Sequence, residues 1–127
     1  VITISADARS VLAREVAGAG GREVSFVATI DRNGAIAEVR AIARGTVDAV
    51  LALPGVAARG EMVLHNHPSG LLEPSVADLR VAARMHDEGV GFGIINNAAS
   101  ELYVVVEVPR RREVVPLDPV ALAGSLG

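Results

Sequence analysis

Two of the three histidines of this sequence stand two residues apart, in His65-Asn66-His67, at the end of the apolar run Met62-Val63-Leu64. In a strand, side chains two apart point to the same face, so both imidazoles can converge on one atom. Asp78 follows His67 by eleven residues, in the first turn of the next predicted helix. The intervening Pro68, Gly70 and Pro74 require a loop, which can fold the carboxylate back onto the imidazoles. Two neutral imidazoles and a carboxylate form a mixed nitrogen and oxygen set suited to Zn²⁺, with a fourth position left for water. A cationic site of that kind lowers the pKa of a bound water toward ~7 and supplies a nucleophile at neutral pH. Ser75-Val76-Ala77-Asp78 also has the outline of a capping box, with Ser75 at the N-cap and Asp78 at the third helical position. Capping alone accounts for Ser75 and Asp78, but a cap does not need two histidines ending the strand upstream. The two roles can coexist.

Hydrolysis at such a site also needs a group to accept the proton of water. The carboxylates available are Glu15, Glu23, Glu38 and Glu61. Glu61 shares strand parity with His65 and His67 but sits about 13 Å from His65 along a strand. Glu15 lies on a predicted helix beside Arg14 and reads as a solvated partner. Glu23 opens an apolar strand just after Gly20-Gly21, where it either projects into a cleft at the sheet edge or is an ordinary exposed strand end. His86 lies about 12 Å along the helix from Asp78 and reads as a surface residue. Arg110-Arg111-Arg112, between Glu107 and Glu113, reads as a solvated tail rather than a phosphate contact.

The elements that must position these groups follow from periodicity and turn chemistry. A short strand over 1–5 ends at Ser5, which caps a helix over 6–17 with Ala8, Leu12 and Val16 on one face. Strands over 23–30 and 35–43 are joined by Asp31-Arg32-Asn33-Gly34, a hairpin signal because Asn-Gly accepts positive φ. Thr46 is expected to cap a second helical stretch to about Leu53, closed by Pro54-Gly55. A short strand over 62–64, the loop over 66–74 and a helix from Ser75 to about Glu88 come next. The apolar residues Val76, Leu79, Val81, Ala82, Ala83 and Met85 are expected to lie mostly on one side of that helix. Two β-branched strands, over 92–95 and 102–108, follow. This order predicts an α/β (α+β) domain, a mixed β-sheet flanked by helices, over 1–108. Pro109, Pro116 and Pro119 mark 109–127 as a linker or tail toward a further domain.

Composition sets the outer limits. The chain has 127 residues, half of them hydrophobic and 21% charged, enough apolar material for one domain with a real core. Twelve basic residues, all arginine, stand against fifteen acidic ones, a net charge of −3 that makes direct nucleic-acid binding an unfavoured expectation. With no cysteine, any metal must use His and carboxylates. Two Phe and one Tyr disfavour modules that stack bases on aromatic platforms. No apolar run reaches the roughly 18 residues a membrane span needs, and a cytoplasmic location with no membrane partner is the expectation.

An upstream Glu, His-x-His, seven residues, Ser, two residues and Asp is the pattern of the JAMM (MPN+/JAB) metalloprotease superfamily, and here it falls on Glu23, His65, His67, Ser75 and Asp78. The stretches Arg22-Glu23-Val24, Gly45-Thr46-Val47, His65 through Gly70 and Pro74 through Asp78 are most similar to the RadC-like prokaryotic branch, over about residues 1–107. The resemblance implies a cytidine-deaminase-like JAMM/MPN fold, His65, His67 and Asp78 on zinc, Glu23 as acid/base, and Ser75 helping to hold the oxyanion. It further implies a protein or peptide substrate, with a peptide or isopeptide amide cleaved, in many members after a ubiquitin-like tail. RadC proteins carry an Asp-His pair in the strand after the long helix, where this chain has Asn96-Asn97, and their helix-hairpin-helix DNA-binding module has no counterpart in this sequence. Two expectations result. One is a zinc-dependent metallopeptidase or isopeptidase; the other is a non-catalytic MPN/RadC-like module of a larger DNA-processing or repair protein. Non-catalytic members commonly lose the metal residues, and all five motif residues are present here.

Overall fold

Alternation along β2 (Val24–Ile30) decides how the layers are built, because its odd and even residues face different helices. A computed structural model describes residues 2–109 and 116–117. β2 turns through Asp31 to Gly34 into β3 (Ala35–Arg44), and the Asp31 carboxylate accepts from the N–H groups of Asn33 and Ala35 inside the turn. Gly34 takes a φ of 81°, which a side chain would disfavour. The other strands are β1 (Thr3–Ile4), β4 (Met62–Asn66), β5 (Gly91–Ile95) and β6 (Leu102–Val106), and together they form one sheet in the order β1-β3-β2-β4-β5-β6. β4 runs antiparallel to β2 and parallel to β5, so the sheet is mixed.

Helix α1 (Ala6–Gly18) covers one side, with Ala8, Leu12 and Val16 packed on Val24, Phe26, Ile36, Met62 and Leu64. Helix α2 (Val76–Glu88) and a short 3-10 helix (Val47–Ala52) cover the other, where Val50, Val81 and Met85 pack on Val27, Val63 and Phe92. Glycines 91 and 93 on β5 let the strands beside them close up. A Cβ on Gly93 would lie 2.7 Å from Leu102 and 3.0 Å from Met62.

Two local expectations change. The stretch after Thr46 is 3-10 rather than α-helical, and the Thr46 side chain makes no capping bond; the eight residues between Gly45 and Pro54 are too few for a stable α-helix. On α2 the buried stripe is Asp78, Val81, Ala82 and Met85, whereas Val76 and Leu79 are 68% and 54% exposed and Ala83 is exposed. A carboxylate, not an apolar side chain, occupies the first buried position of the helix. Among the described residues no helix is long and apolar enough to cross a membrane. Arg110 to Arg112 and most of the predicted tail lie outside the described residues.

Candidate metal centre

The antiparallel register that sets Ser25 opposite His65 brings the start of β2 beside the end of β4. Glu23, one residue before β2, thus stands next to the two histidines. Strand parity points Glu23, Ser25 and His65 to the side covered by α2, whose first turn supplies Asp78. Glu23, His65, His67 and Asp78 each offer a donor atom, and all four atoms lie within 4.8 Å of one another.

Both imidazoles are oriented the same way. His67 Nδ1 lies 2.8 Å from the carbonyl oxygen of Leu71. His65 Nδ1 lies 3.2 Å from the carbonyl oxygen of Asn66 and 3.0 Å from Glu23 Oε1. Since a carbonyl only accepts, the hydrogen of each neutral ring belongs on Nδ1, and each Nε2 presents a lone pair. Both Nε2 atoms point at Asp78: His65 Nε2 is 2.6 Å from Oδ1 and His67 Nε2 is 2.7 Å from Oδ2. The 2.6 Å approach lacks hydrogen-bond geometry, so His65 Nε2 and Asp78 Oδ1 are buried without a hydrogen-bond partner among the described residues. A buried nitrogen and a buried carboxylate oxygen left this way are costly unless a cation takes up their lone pairs. The donor set fits a divalent metal on that observation, and fixing Nδ1–H by a carbonyl or carboxylate is the usual support of a metal-binding histidine.

Electrostatics agree with the geometry. Burial against Phe92, whose ring stacks 5.4 Å from that of His65, pushes the His65 pKa down to about 4, with the neighbouring His67 adding to the effect and Asp78 opposing it. The ring is therefore neutral and able to ligate at neutral pH. Burial raises the pKa of Asp78, but the hydrogen bond from the Ser75 N–H, the electrostatic influence of His65, and the contacts with His67 and the Ser75 hydroxyl outweigh it, and the carboxyl sits below its ordinary value. Glu23 is raised, chiefly by burial and also by the Asp78 charge, against the lowering influence of His67 and the Val47 N–H.

The capping box forms as well. Ser75 Oγ accepts from the Asp78 N–H at 3.1 Å, and Asp78 Oδ2 accepts from the Ser75 N–H at 2.7 Å. The two oxygens of Asp78 divide the work. Oδ2 accepts at the helix start and faces His67 Nε2, while Oδ1 faces His65 Nε2. The other carboxylates lie elsewhere: Glu61 accepts from the Ala58 N–H, Glu15 pairs with Arg44 at 2.9 Å, and Glu38 is exposed on β3. His86 is exposed at the end of α2, beside Asp87.

One residue of the site escapes motif reasoning. Asn66, between the histidines, faces the opposite way and is fully buried. Its Oδ1 accepts from the Val24 N–H at 2.8 Å, and its Nδ2 donates to the Arg22 carbonyl at 3.1 Å and to Asn97 Oδ1 at 3.0 Å. A polar amide at the inward position of an apolar strand is the signal that marks it.

The family model for the RadC-like JAB domain matches residues 2–95. A UPF0758 protein of Vibrio cholerae serotype O1 is 37% identical over 73 residues, which are 51% of this chain and 46% of that protein. A second UPF0758 protein of the same organism is 34% identical over 89 residues, 64% of this chain and 57% of the relative. One from Vibrio vulnificus is 28% identical over 92 residues, 66% of this chain and 40% of its own. The chain spans about half the length of these relatives.

Proposed function

The chain belongs to the RadC-like JAB domain family, and from that premise we propose that it is a zinc-dependent hydrolase of amide bonds, a metallopeptidase or isopeptidase. The observation that supports this reading most is the pair of imidazole Nε2 atoms turned onto one buried carboxylate whose Oδ1 has no hydrogen-bond partner among the described residues. In the proposal His65, His67 and Asp78 hold the ion. Zinc, when bound, would acidify water and polarise the scissile carbonyl. Glu23, with its pKa raised above the ordinary value chiefly by burial and standing beside His65, takes the proton of the attacking water and returns it to the leaving amine. The Ser75 hydroxyl, accepting from the helix backbone through its oxygen, keeps a hydrogen to donate to the acyl oxygen as negative charge develops there. A protein or peptide segment is the substrate class, a cytoplasmic location goes with the proposal, and fusion to a DNA-processing protein through residues 109–127 is the context that suits the proline-marked tail.

The experiment is Glu23→Gln, assayed on fluorogenic peptide and isopeptide amides with zinc quantified in parallel. The variant should fold and keep one zinc, while turnover falls by about 10²- to 10⁴-fold. Zinc loss equal to that of a histidine variant would make Glu23 a ligand. Stoichiometric zinc with no turnover of any amide by the unaltered protein would favour the non-catalytic module.

A further inference from the structure

The side chain of Asn66 holds both peptide groups that flank Glu23. Its oxygen takes the N–H of Val24 and its amide nitrogen reaches the carbonyl of Arg22, so the backbone on either side of the carboxylate is gripped by one planar group. The second hydrogen of Nδ2 goes to Asn97 Oδ1, and Asn97 Nδ2 donates to the Pro68 carbonyl at 3.2 Å, one residue beyond His67. The chain of bonds thus runs from the segment carrying Glu23, through the strand end carrying His65, to the loop that follows His67. Glu23 needs such a restraint. It precedes the first residue of β2, where ladder pairing thins: of its own backbone groups, the carbonyl is tied to the Gly45 N–H. Asn66 is buried and satisfies three hydrogen bonds of fixed geometry, so its carboxamide has one orientation, and a misplacement of about 1 Å at a proton-accepting group can cost about a hundredfold in rate.

We infer that Asn66, braced by Asn97, is a positioning residue that sets the Glu23 carboxylate against His65 Nδ1. The inference rests on the hydrolase reading for its effect on rate, but not for its effect on the Glu23–His65 contact. Asn66→Asp is the sharpest variant, because it keeps an acceptor for Val24 and loses both donations. Asn97→Ala, at the more accessible end of the relay, serves if Asn66→Asp does not fold.

The first readout is the His65 Nδ1–H proton resonance of the zinc-loaded protein, with Glu23→Gln as the reference for a lost carboxylate contact. Asn66→Asp should move that resonance in the same direction as Glu23→Gln, and Asn97→Ala should do so by a smaller amount, with one zinc retained in each. An unmoved resonance in a folded Asn66→Asp protein, or in Asn97→Ala if that is the only variant that folds, overturns the inference whether or not the protein is an enzyme. The second readout is a double-mutant cycle on turnover. Asn66→Asp should lower kcat about 10- to 100-fold with KM little changed, and should add almost nothing in a Glu23→Gln background. A full additional loss in that background would make Asn66 a general structural residue and overturn the positioning role.

Discussion

The two long helices begin with the same device and use it differently. Ser5 caps α1 and Ser75 caps α2, and each Oγ accepts at 3.1 Å from the N–H three residues on, Ala8 in one case and Asp78 in the other. At α1 the Ser5 hydroxyl also donates to the Ala37 carbonyl at 3.0 Å, so both its hydrogen and its lone pair are engaged, and the third helical residue is an apolar alanine packed in the core. At α2 the Ser75 hydroxyl reaches no backbone carbonyl among the described residues and instead helps to hold the Asp78 carboxyl below its ordinary pKa, and the third helical residue is that same carboxylate, facing two histidines. A cap that serves only folding uses every polar atom internally. The cap of α2 is tied instead to a carboxylate of the candidate metal centre.

The largest effect that should separate the two helix starts is at their third residues. Asp78→Ala, which gives α2 the residue that α1 already has, should lower zinc affinity by more than about 100-fold, since losing even a supporting partner of a metal site costs about 10- to 100-fold. Competition with a chromophoric chelator measures it, and unchanged affinity would reduce Asp78 to a cap.

The serines come next. Ser5→Ala and Ser75→Ala should each cost about 1 kcal/mol of stability, read from chemical denaturation. Only Ser75→Ala should also slow hydrolysis, by about a hundredfold. Ser75→Asp, a good cap with no hydrogen to donate, should recover the stability and not the rate, provided zinc remains bound. Full activity in Ser75→Asp with zinc in place would make the two serines equivalent.

Acid should distinguish the regions more gently. The folded His65 takes its proton only near pH 4, against about 6.5 when unfolded, so the unfolded chain binds more protons between those values. The stability that His65 contributes is therefore full above about pH 6.5 and is lost as the pH falls toward 4. Asp78, lowered in the folded state, loses its contribution further down, as pH falls through its depressed value. Glu23, raised in the folded state, works in the opposite sense, its contribution being present below its ordinary value and lost as pH rises through the raised one. In metal-free Glu23→Gln protein the melting temperature should thus fall from pH 6.5 to 4, with the same slope after Ser5→Ala and a flatter one after His65→Asn. An unchanged slope in the His65 variant would assign the acid response to another group.

Much of this is legible in the sequence. The 65-67-75-78 spacing specified one strand end and one helix start, and those are the elements that meet. Asn33-Gly34 fixed the hairpin, and the glycines after α1 ended it where the apolar stripe ends. The Glu23 position was ambiguous from its residue type alone, because nothing local says which strand pairs with which. Only the β2–β4 register resolves it. Asn66 was hidden for a related reason: its partners Val24 and Asn97 are 42 and 31 residues away, and a relay of that span leaves no short-range pattern. Val76 and Leu79 have the helical spacing of a core face yet are exposed, because the buried stripe of α2 begins with Asp78.

The Ser25–His65 pairing carries a consequence for how errors in folding would be detected. Strand side chains alternate, so sliding β2 by a single residue along β4 would turn Glu23 and Ser25 toward α1 and send Val24 and Phe26 toward α2. Such a slipped chain could keep much of its hydrogen-bonded sheet and a collapsed interior, and bulk measures of compactness would score it as nearly native. It could not gather Glu23 with His65 and Asp78. Assembly of the Glu23, His65, His67 and Asp78 cluster is thus a proofreading signal for strand alignment, sensitive to one residue where spectroscopic measures of sheet content are not.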